Sequence, residues 1–465
     1  MYQKQRIIKE LKPYIPAAEI FPIYMEEADA IFLDSSLVND LGRYSIIGRC
    51  PYLKLVKDGK SFTINGIEEK EKSFEDYVRE YLTMHVDKND SHLPIVSGAM
   101  GYFSYDYGRE MQGVATAEEE MVSIPEAVLT FYDFFVIEDC QERKTYLVAN
   151  GATGNPEERI REAEYQLTEL GYGEERNDQK DKKRTKGGGD IRKEIRIHSN
   201  FKKEEYKQAV DDMIRYIVEG DIYIANMTQQ LMIESEKEPR KVFYDLRKQN
   251  SSPFGAYVDY GDYQIICASP ERFLKMKHHH VNTRPIKGTR KRGETLEEDQ
   301  YMREELINSE KDKSELLMIV DLERNDLNKV CEPGSVKVTE LFTVEEYATV
   351  FHLVSDIEGT LTKGKNVMDL LKAAFPGGSI TGAPKYRAME IIDELEHGKR
   401  NIYTGSMGYL TLDGDCDFNI MIRTLLHQNG KYYLGVGGGI TAESDLEFEY
   451  EETLQKARAM IEALR

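Results

Sequence analysis

The chain has 465 residues, 40% of them hydrophobic and 31% charged, long enough to bury a large core and to form two or three domain-sized units. Its formal net charge of -21, from 62 basic and 83 acidic residues, argues against nucleic acid as the main partner. No apolar run is long enough to span a bilayer, Met1 to Lys12 lacks the apolar core of a signal peptide, and five scattered cysteines fit reduced thiols, so a cytoplasmic protein is expected. Any anionic substrate must be held by local cations, because the field of the whole chain repels it.

Residues 1–171 read as an N-terminal α/β region rich in short strands. Ala30 to Ser36 and Gly42 to Gly48 look like strands around a polar turn, and Leu93 to Asp106 like a Gly-interrupted strand. Pro125 to Val136 and Thr145 to Val148 continue an apolar, aromatic sheet pattern, and Glu157 to Gly171 reads as a helix ending on glycine. Residues 172–193 crowd Glu, Asp, Lys and Arg around Gly187, Gly188 and Gly189, a composition that cannot bury itself and reads as a linker. Residues 194–465 follow as a second region. Tyr206, Ala209, Val210, Met213, Tyr216 and Ile217 recur at helical spacing before Gly220, and Ile222 to Leu231 alternates as a strand. Phe254 to Val258 and Gln264 to Ala268 form a hairpin around Gly261 and Asp262. His278, His279 and His280 cannot all face one ion from a strand, so an exposed hairpin tip is expected there.

Four features carry chemistry. Arg284-Pro285-Ile286-Lys287-Gly288-Thr289-Arg290 sets a lysine among cations that oppose its protonation, as a nucleophilic amine requires, although a solvated basic turn has the same composition. Ser309 can cap a helix with Asp312 in the capping-box position, and Asp312 and Glu315 then share a face. Glu449 and Glu452 form a second pair on the final helix, whose Leu454, Ala457, Met460 and Ile461 would face the core. Each pair alone reads more readily as a solvated helix face, whereas two pairs meeting would make an oxygen-lined Mg²⁺ cage. Pro376 to Lys385 is a small-residue loop entering a helix, with free amides, hydroxyls and a lysine that favour an anion. Gly435 to Ile440 is a second glycine-rich loop where backbone could approach a ligand.

In chain order, Ser269-Pro270-Glu271-Arg272-Phe273, P-I-K-G-T-R, Leu317 to Leu327 (L-M-I-V-D-L-E-R-N-D-L), Phe351 to Ser355, G-S-I-T-G-A-P-K, Ile402 to Gly405 and Glu451 to Lys456 resemble the chorismate-utilising enzymes. These include the large subunits of anthranilate and aminodeoxychorismate synthase, with isochorismate and salicylate synthases as relatives. The resemblance implies an α/β (α+β) fold of large packed antiparallel sheets flanked by helices, with the regions before and after the linker sharing one core. Lys287 favours aminodeoxychorismate synthase component I, because anthranilate synthases usually carry alanine in P-I-A-G-T. The runner-up is anthranilate synthase, and a non-catalytic scaffold for an amidotransferase is a third reading.

Carried over by resemblance, Lys287 is the nucleophile and Glu271 the acid/base. Glu315 and Glu452 bind Mg²⁺ directly, and Asp312 and Glu449 reach it through water. Tyr403, Arg423, the amides of Gly437 and Gly439, and Lys456 hold the substrate carboxylates, while His352 and Ser379 line the pocket near the ring. Ser35, Arg43, Pro253 and Phe254 match part of a pocket that holds tryptophan in some relatives. Three positions depart from the family pattern: Ile224 replaces a glutamine or lysine, Asp312 a glutamate, and Ser379 a threonine. Ile224 leaves no basic group to activate water, against isochorismate chemistry. No Cys-His-Glu amidotransferase set is recognisable, so a glutamine amidotransferase subunit is the implied partner.

Overall fold

The computed structural model describes residues 6–114, 120–181, 195–347 and 350–465, with the side chains of 169–181 aside. It is a mixed α/β structure whose strands all belong to one antiparallel hydrogen-bonded network. The strand Ala127–Asp139 is buried along its whole length, which explains why it reads as an apolar run and not as an alternation. The helix Lys203–Glu219 buries Tyr206, Ala209, Val210 and Met213 and stops at Gly220, whose φ of 90° is the left-handed conformation expected of a terminal glycine. Phe254–Asp259 and Tyr263–Ser269 pair as the expected hairpin. His278 and His279 form the tip between Arg272–Lys277 and His280–Thr283, and all three histidines are exposed.

Some local readings need correction. The expected strand through Asp106 ends at Phe103, because Ser104 caps a helix, Tyr105–Met111. The helix expected to end at Gly171 runs from Pro156 to Asp181 and so covers the first part of the 172–193 segment; residues 182–193 lie outside the described residues. Pairing across that segment is extensive. Gly255 pairs with Asp34 and Ser406 with Phe103, and the ring of Phe103 lies 5.8 Å from that of Phe418 in a shared apolar cluster. A fully buried Phe of this kind contributes about 1.5–3 kcal/mol.

Two facing breaks in one antiparallel ladder shape the interior. Tyr263–Ser269 continues into Arg272–Lys277 through Pro270 and Glu271. Cys416–Asn419 continues into Thr424–Gln428 through a segment ending at Arg423. The two stretches keep one register across the breaks, Cys267 pairing with Thr424 on one side and Arg272 with Asn419 on the other. Hydrogen bonds close the breaks: Ile420 N donates to Glu271 O at 3.0 Å, Ser269 Oγ to Ile420 O at 2.6 Å, and Ala268 N to Arg423 O at 3.0 Å. The backbones of Glu271 and Arg423 are therefore fixed by these bonds.

A buried ion pair locks the neighbouring wall. Arg400 donates to Glu396 at 2.8 and 2.6 Å and to the carbonyls of Asn226 and Ile380 at 2.6 and 2.7 Å, while Glu396 accepts from Thr228 N at 2.9 Å. Every charge is matched, so removing one partner strands the other. Arg400→Met should cost about 3–5 kcal/mol in urea denaturation. A loss within ~0.5 kcal/mol, typical of a surface change, would mean the pair is not a lock.

Candidate active site

Lys287 lies on the strand Ile286–Lys291, paired with Val350–Thr360. Lys287 faces Leu353 and Thr289 faces His352, so Gly288 is an extra residue, a bulge with φ of +72°. A Cβ there would also strike Asp312 Cγ at 2.9 Å, so glycine is required on two counts. The Lys287 amine donates to Ser379 O at 3.3 Å and lies 3.4 Å from where a Gly439 Cβ would sit. Among the described residues it has no carboxylate within ion-pair distance.

The flanking cations do not crowd this amine, contrary to expectation. Arg284 pairs with Glu340, Glu345 and Asp356, Arg290 with Glu305 and Asp312, and Arg292 with Asp299. Their charges are matched locally, and Lys287 is set apart by the bulge and not by repulsion.

Glu271 is buried, and Ser379 Oγ donates to its Oε1 at 2.8 Å. Burial pushes this carboxyl above its ordinary range, opposed by Ser379, Lys287, the Ile286 amide and Arg423. Ser379 thus joins the pair, with its hydroxyl on Glu271 and its carbonyl on Lys287. His352 Nδ1 lies 2.8 Å from Thr289 Oγ1, and burial, aided by Arg423, lowers its pKa to about 4, so the ring is neutral near pH 7. Thr289 belongs to the P-I-K-G-T-R stretch, yet its service to His352 was not legible there.

Arg423 has a φ of 50° and is surrounded by protein, which lowers its guanidinium from the ordinary value, with Glu271 opposing. It is nonetheless open to solvent, as a side chain lining a cleft is. Its guanidinium has no hydrogen-bond or ion-pair partner among the described residues, leaving a fork free for a carboxylate. Tyr403 is buried against Gly435, where a Cβ would fall 2.1 Å from its ring.

The glycine-rich stretch is no loop. Gly435 to Ile440 belongs to the strand Lys431–Ile440, with Gly437 opposite Thr228 and Gly439 opposite Asn226. A Cβ at Gly437 would meet Met227 O at 2.4 Å, so strand packing accounts for that glycine, whereas Gly439 faces Lys287. Lys456 is engaged, donating to Gly437 O at 2.8 Å and lying 3.2 Å from Glu452. Nor is Lys385 free for an anion. It is buried, 2.5 Å from Asp326, and donates to the carbonyls of Ala374 and Pro376, holding the loop together.

Three of the four carboxylates, Glu449, Glu452 and Glu315, lie near Gly438 and Gly439, while Asp312 lies against Gly288. A Cβ at Gly438 would lie 2.7 Å from Glu452 Oε2 and 3.2 Å from Glu449 Oε2, and one at Gly439 would lie 4.0 Å from Glu315 Oε2. Burial raises Glu315 and Glu449; Asp312 and Glu452 push Glu315 further, and Glu452 does the same to Glu449. The pairs therefore feel each other across the glycines. Each carboxylate also has a local partner: Asp312 has Arg290 at 2.9 Å, Glu449 has Ser444 Oγ at 2.7 Å, and Glu315 has Lys311 at 4.0 Å. Among the described residues no three side chains are gathered closely enough to hold a metal. The donor set suits a hard cation in its chemistry. Ser309 caps the first of these helices as expected, while Leu454, expected in the core, is exposed.

Ser35, Arg43, Pro253 and Phe254 line a separate cavity of about 460 Å³, to which no residue of the Lys287 cleft contributes. Ser35 Oγ is 2.8 Å from Tyr44 O, and Arg43 is 2.7 Å from Asp139. Lys275 also lines it, lowered by burial and without an ion-pair partner among the described residues.

Comparison with known proteins places the chain in a family. Residues 48–462 match the family described as chorismate binding enzyme. Aminodeoxychorismate synthase component 1 of Bacillus subtilis is 36% identical over 91% of this chain and 89% of its own length. Anthranilate synthase component 1 of Acetivibrio thermocellus is 35% identical over 94% and 91%. The crystal structure of anthranilate synthase component I from Streptococcus pneumoniae TIGR4 superposes with a TM-score of 0.78 at 29% identity, covering 92% of this chain and 94% of that one. Among the described residues no helix is long and apolar enough to cross a membrane. The chain belongs to the chorismate binding enzymes and acts on chorismate.

Proposed function

We propose that the chain carries out aminodeoxychorismate synthase chemistry, converting chorismate and ammonia to 4-amino-4-deoxychorismate for 4-aminobenzoate and folate biosynthesis. The observation that carries this reading is the Lys287 amine, which lies against Gly439 with no carboxylate within ion-pair distance among the described residues and shares Ser379 with Glu271. In the first step the neutral amine bonds to C2 of chorismate, both ring double bonds shift toward C4, and the C4–O bond breaks. Glu271, whose burial favours the protonated form, gives its proton to the departing hydroxyl, which leaves as water. Ammonia then bonds to C4 and the C2–N bond breaks. Lys287 is released as the amine, and the surplus proton returns to Glu271. Arg423 and Tyr403 hold the substrate carboxylates, and neutral His352 lines the ring face without adding a charge.

Mg²⁺ is the implied cofactor, with Glu315 and Glu452 as direct ligands and Asp312 and Glu449 behind water. Bound there, it would offset the repulsion among the four carboxylates and neutralise a substrate carboxylate.

The component 1 names of the relatives suggest a second subunit for this chain too, and on this reading that subunit is a glutamine amidotransferase supplying ammonia. The protein alone should use ammonium and not glutamine. Turnover of glutamine by the purified chain would overturn this. Anthranilate synthase remains the second reading, because its relatives are as similar. Product identification decides: fluorescent anthranilate, or a product that a lyase converts to 4-aminobenzoate.

A further inference from the structure

One buried acid beside this site has no part in the reaction above. Glu323, on the helix Glu310–Asn328, is enclosed, and its Oε2 lies 2.9 Å from Thr283 Oγ1. The same Oγ1 lies 2.8 Å from the carbonyl oxygen of Phe273. A threonine hydroxyl has one proton to donate, and a carbonyl only accepts. If the hydroxyl donates to Phe273, its contact with Glu323 is a hydrogen bond only when Glu323 is the donor. A carboxyl donates only when protonated.

On its other side Glu323 is pressed under the turn Gly378–Ile380. A Cβ on Gly378 would lie 3.1 Å from Glu323 Cγ and 3.4 Å from its Oε1. Ser379, the next residue of that turn, donates to Glu271, and Phe273 lies two residues along the chain from Glu271. Glu323 therefore reaches both supports of Glu271 indirectly, Ser379 through Gly378 and Phe273 through Thr283.

The charged groups around it are Glu271, Lys385 and Asp326. Lys385 is already engaged by Asp326 and two carbonyls, and no cation among the described residues pairs with Glu323. Burial raises its carboxyl to about 8, with Glu271 and Asp326 acting in the same direction and Thr283 and Lys385 against.

We propose that Glu323 serves as a neutral, hydrogen-donating carboxyl, a positioning residue that clamps Thr283 and the Gly378–Ser379 turn around Glu271. The proposal rests on the reading of Glu271 as the acid/base. Ionised, Glu323 would place a second negative charge behind Glu271 and turn the Thr283 proton away from Phe273.

Glu323→Gln tests this, since its amide can donate where the protonated carboxyl did. With ammonium as nitrogen source, the variant should match wild type at about pH 7. Its rate relative to wild type should then rise as pH passes about 8, because only wild type ionises. The ratio cancels the growing fraction of free ammonia, which both proteins share. Stability gives a readout independent of activity. Folded Glu323 holds its proton well above the ordinary glutamate value of about 4.3, so wild type loses stability as pH rises from there through about 8. The Gln variant is spared, and the gap in Tm should widen in its favour over that window. Glu323→Met, which cannot donate, should lower kcat with little change in KM for chorismate. A Gln variant with the wild-type alkaline limb and Tm–pH curve overturns the proposal. So does one that keeps the fold but is inactive at every pH, because Glu323 would then be transferring a proton itself. Failure of the Glu271 reading is distinguishable: Glu271→Gln would be active, whereas the Tm–pH gap does not depend on it.

Discussion

Incubated with chorismate and no ammonia, the protein should retain a covalent adduct on Lys287, visible as added mass on the intact chain. Lys287→Ala should lose the adduct and aminate at least ~10²-fold more slowly, the scale on which a positioned reactive group acts. Chorismate binding should persist, because Arg423 and Tyr403 come from other parts of the fold. Lys287→Arg should be equally impaired, since guanidinium stays protonated and cannot attack. The geometry sharpens this expectation: the amine is delivered by the Gly288 bulge, so restoring a cation without the right reach and nucleophilicity restores nothing. Wild-type amination by Lys287→Ala would remove the lysine from the mechanism and return the choice of member toward anthranilate synthase.

Chelation should abolish turnover, and Glu452→Gln should weaken Mg²⁺ binding, read by calorimetry, by at least roughly 10–100-fold. The reason is electrostatic. Glu315 and Glu449 are raised by burial and by their acidic neighbours, so the folded chain bears a cost that a divalent cation would relieve. The carboxylates now lean on Arg290, Lys311, Lys456 and Ser444, and Mg²⁺ must draw them from these partners. Binding should therefore also raise the Tm. Full activity in excess chelator, or an unaffected Glu452→Gln, would show that no such cage forms.

Where sequence and structure part, the cause lies in who the neighbours are. Arg284, Arg290 and Arg292 look like a cationic cluster in one dimension, but their carboxylate partners come from segments around 299–312 and 340–356, so the charges cancel. Lys385 looks like an anion ligand beside a small-residue loop, but Asp326, on another helix, claims it. Gly435 to Ile440 looks like a loop because glycine is rare in strands; here Tyr403, Met227 and the two glutamates each press against a bare α-carbon. None of these partners is adjacent in sequence.

What the sequence determined by itself is local or carried by motifs. The helix stopped by Gly220, the hairpin around Gly261, the histidine tip, the Ser309 cap and the chorismate-utilising family all follow from residue types at short spacing. Backbone preference and capping act within a few residues, so they are legible in one dimension. Only the tertiary structure decided that Lys287 and Glu271 share Ser379, that Arg423 has no partner among the described residues, and that Glu315 of one carboxylate pair approaches Glu449 and Glu452 of the other near Gly438 and Gly439. These depend on distant strands closing on one another, and on burial that moves Glu271, His352 and Glu323 from their ordinary ionisation. Desolvation and long-range charge are properties of a place in the fold, and a place in the fold is not written at any one position of the chain.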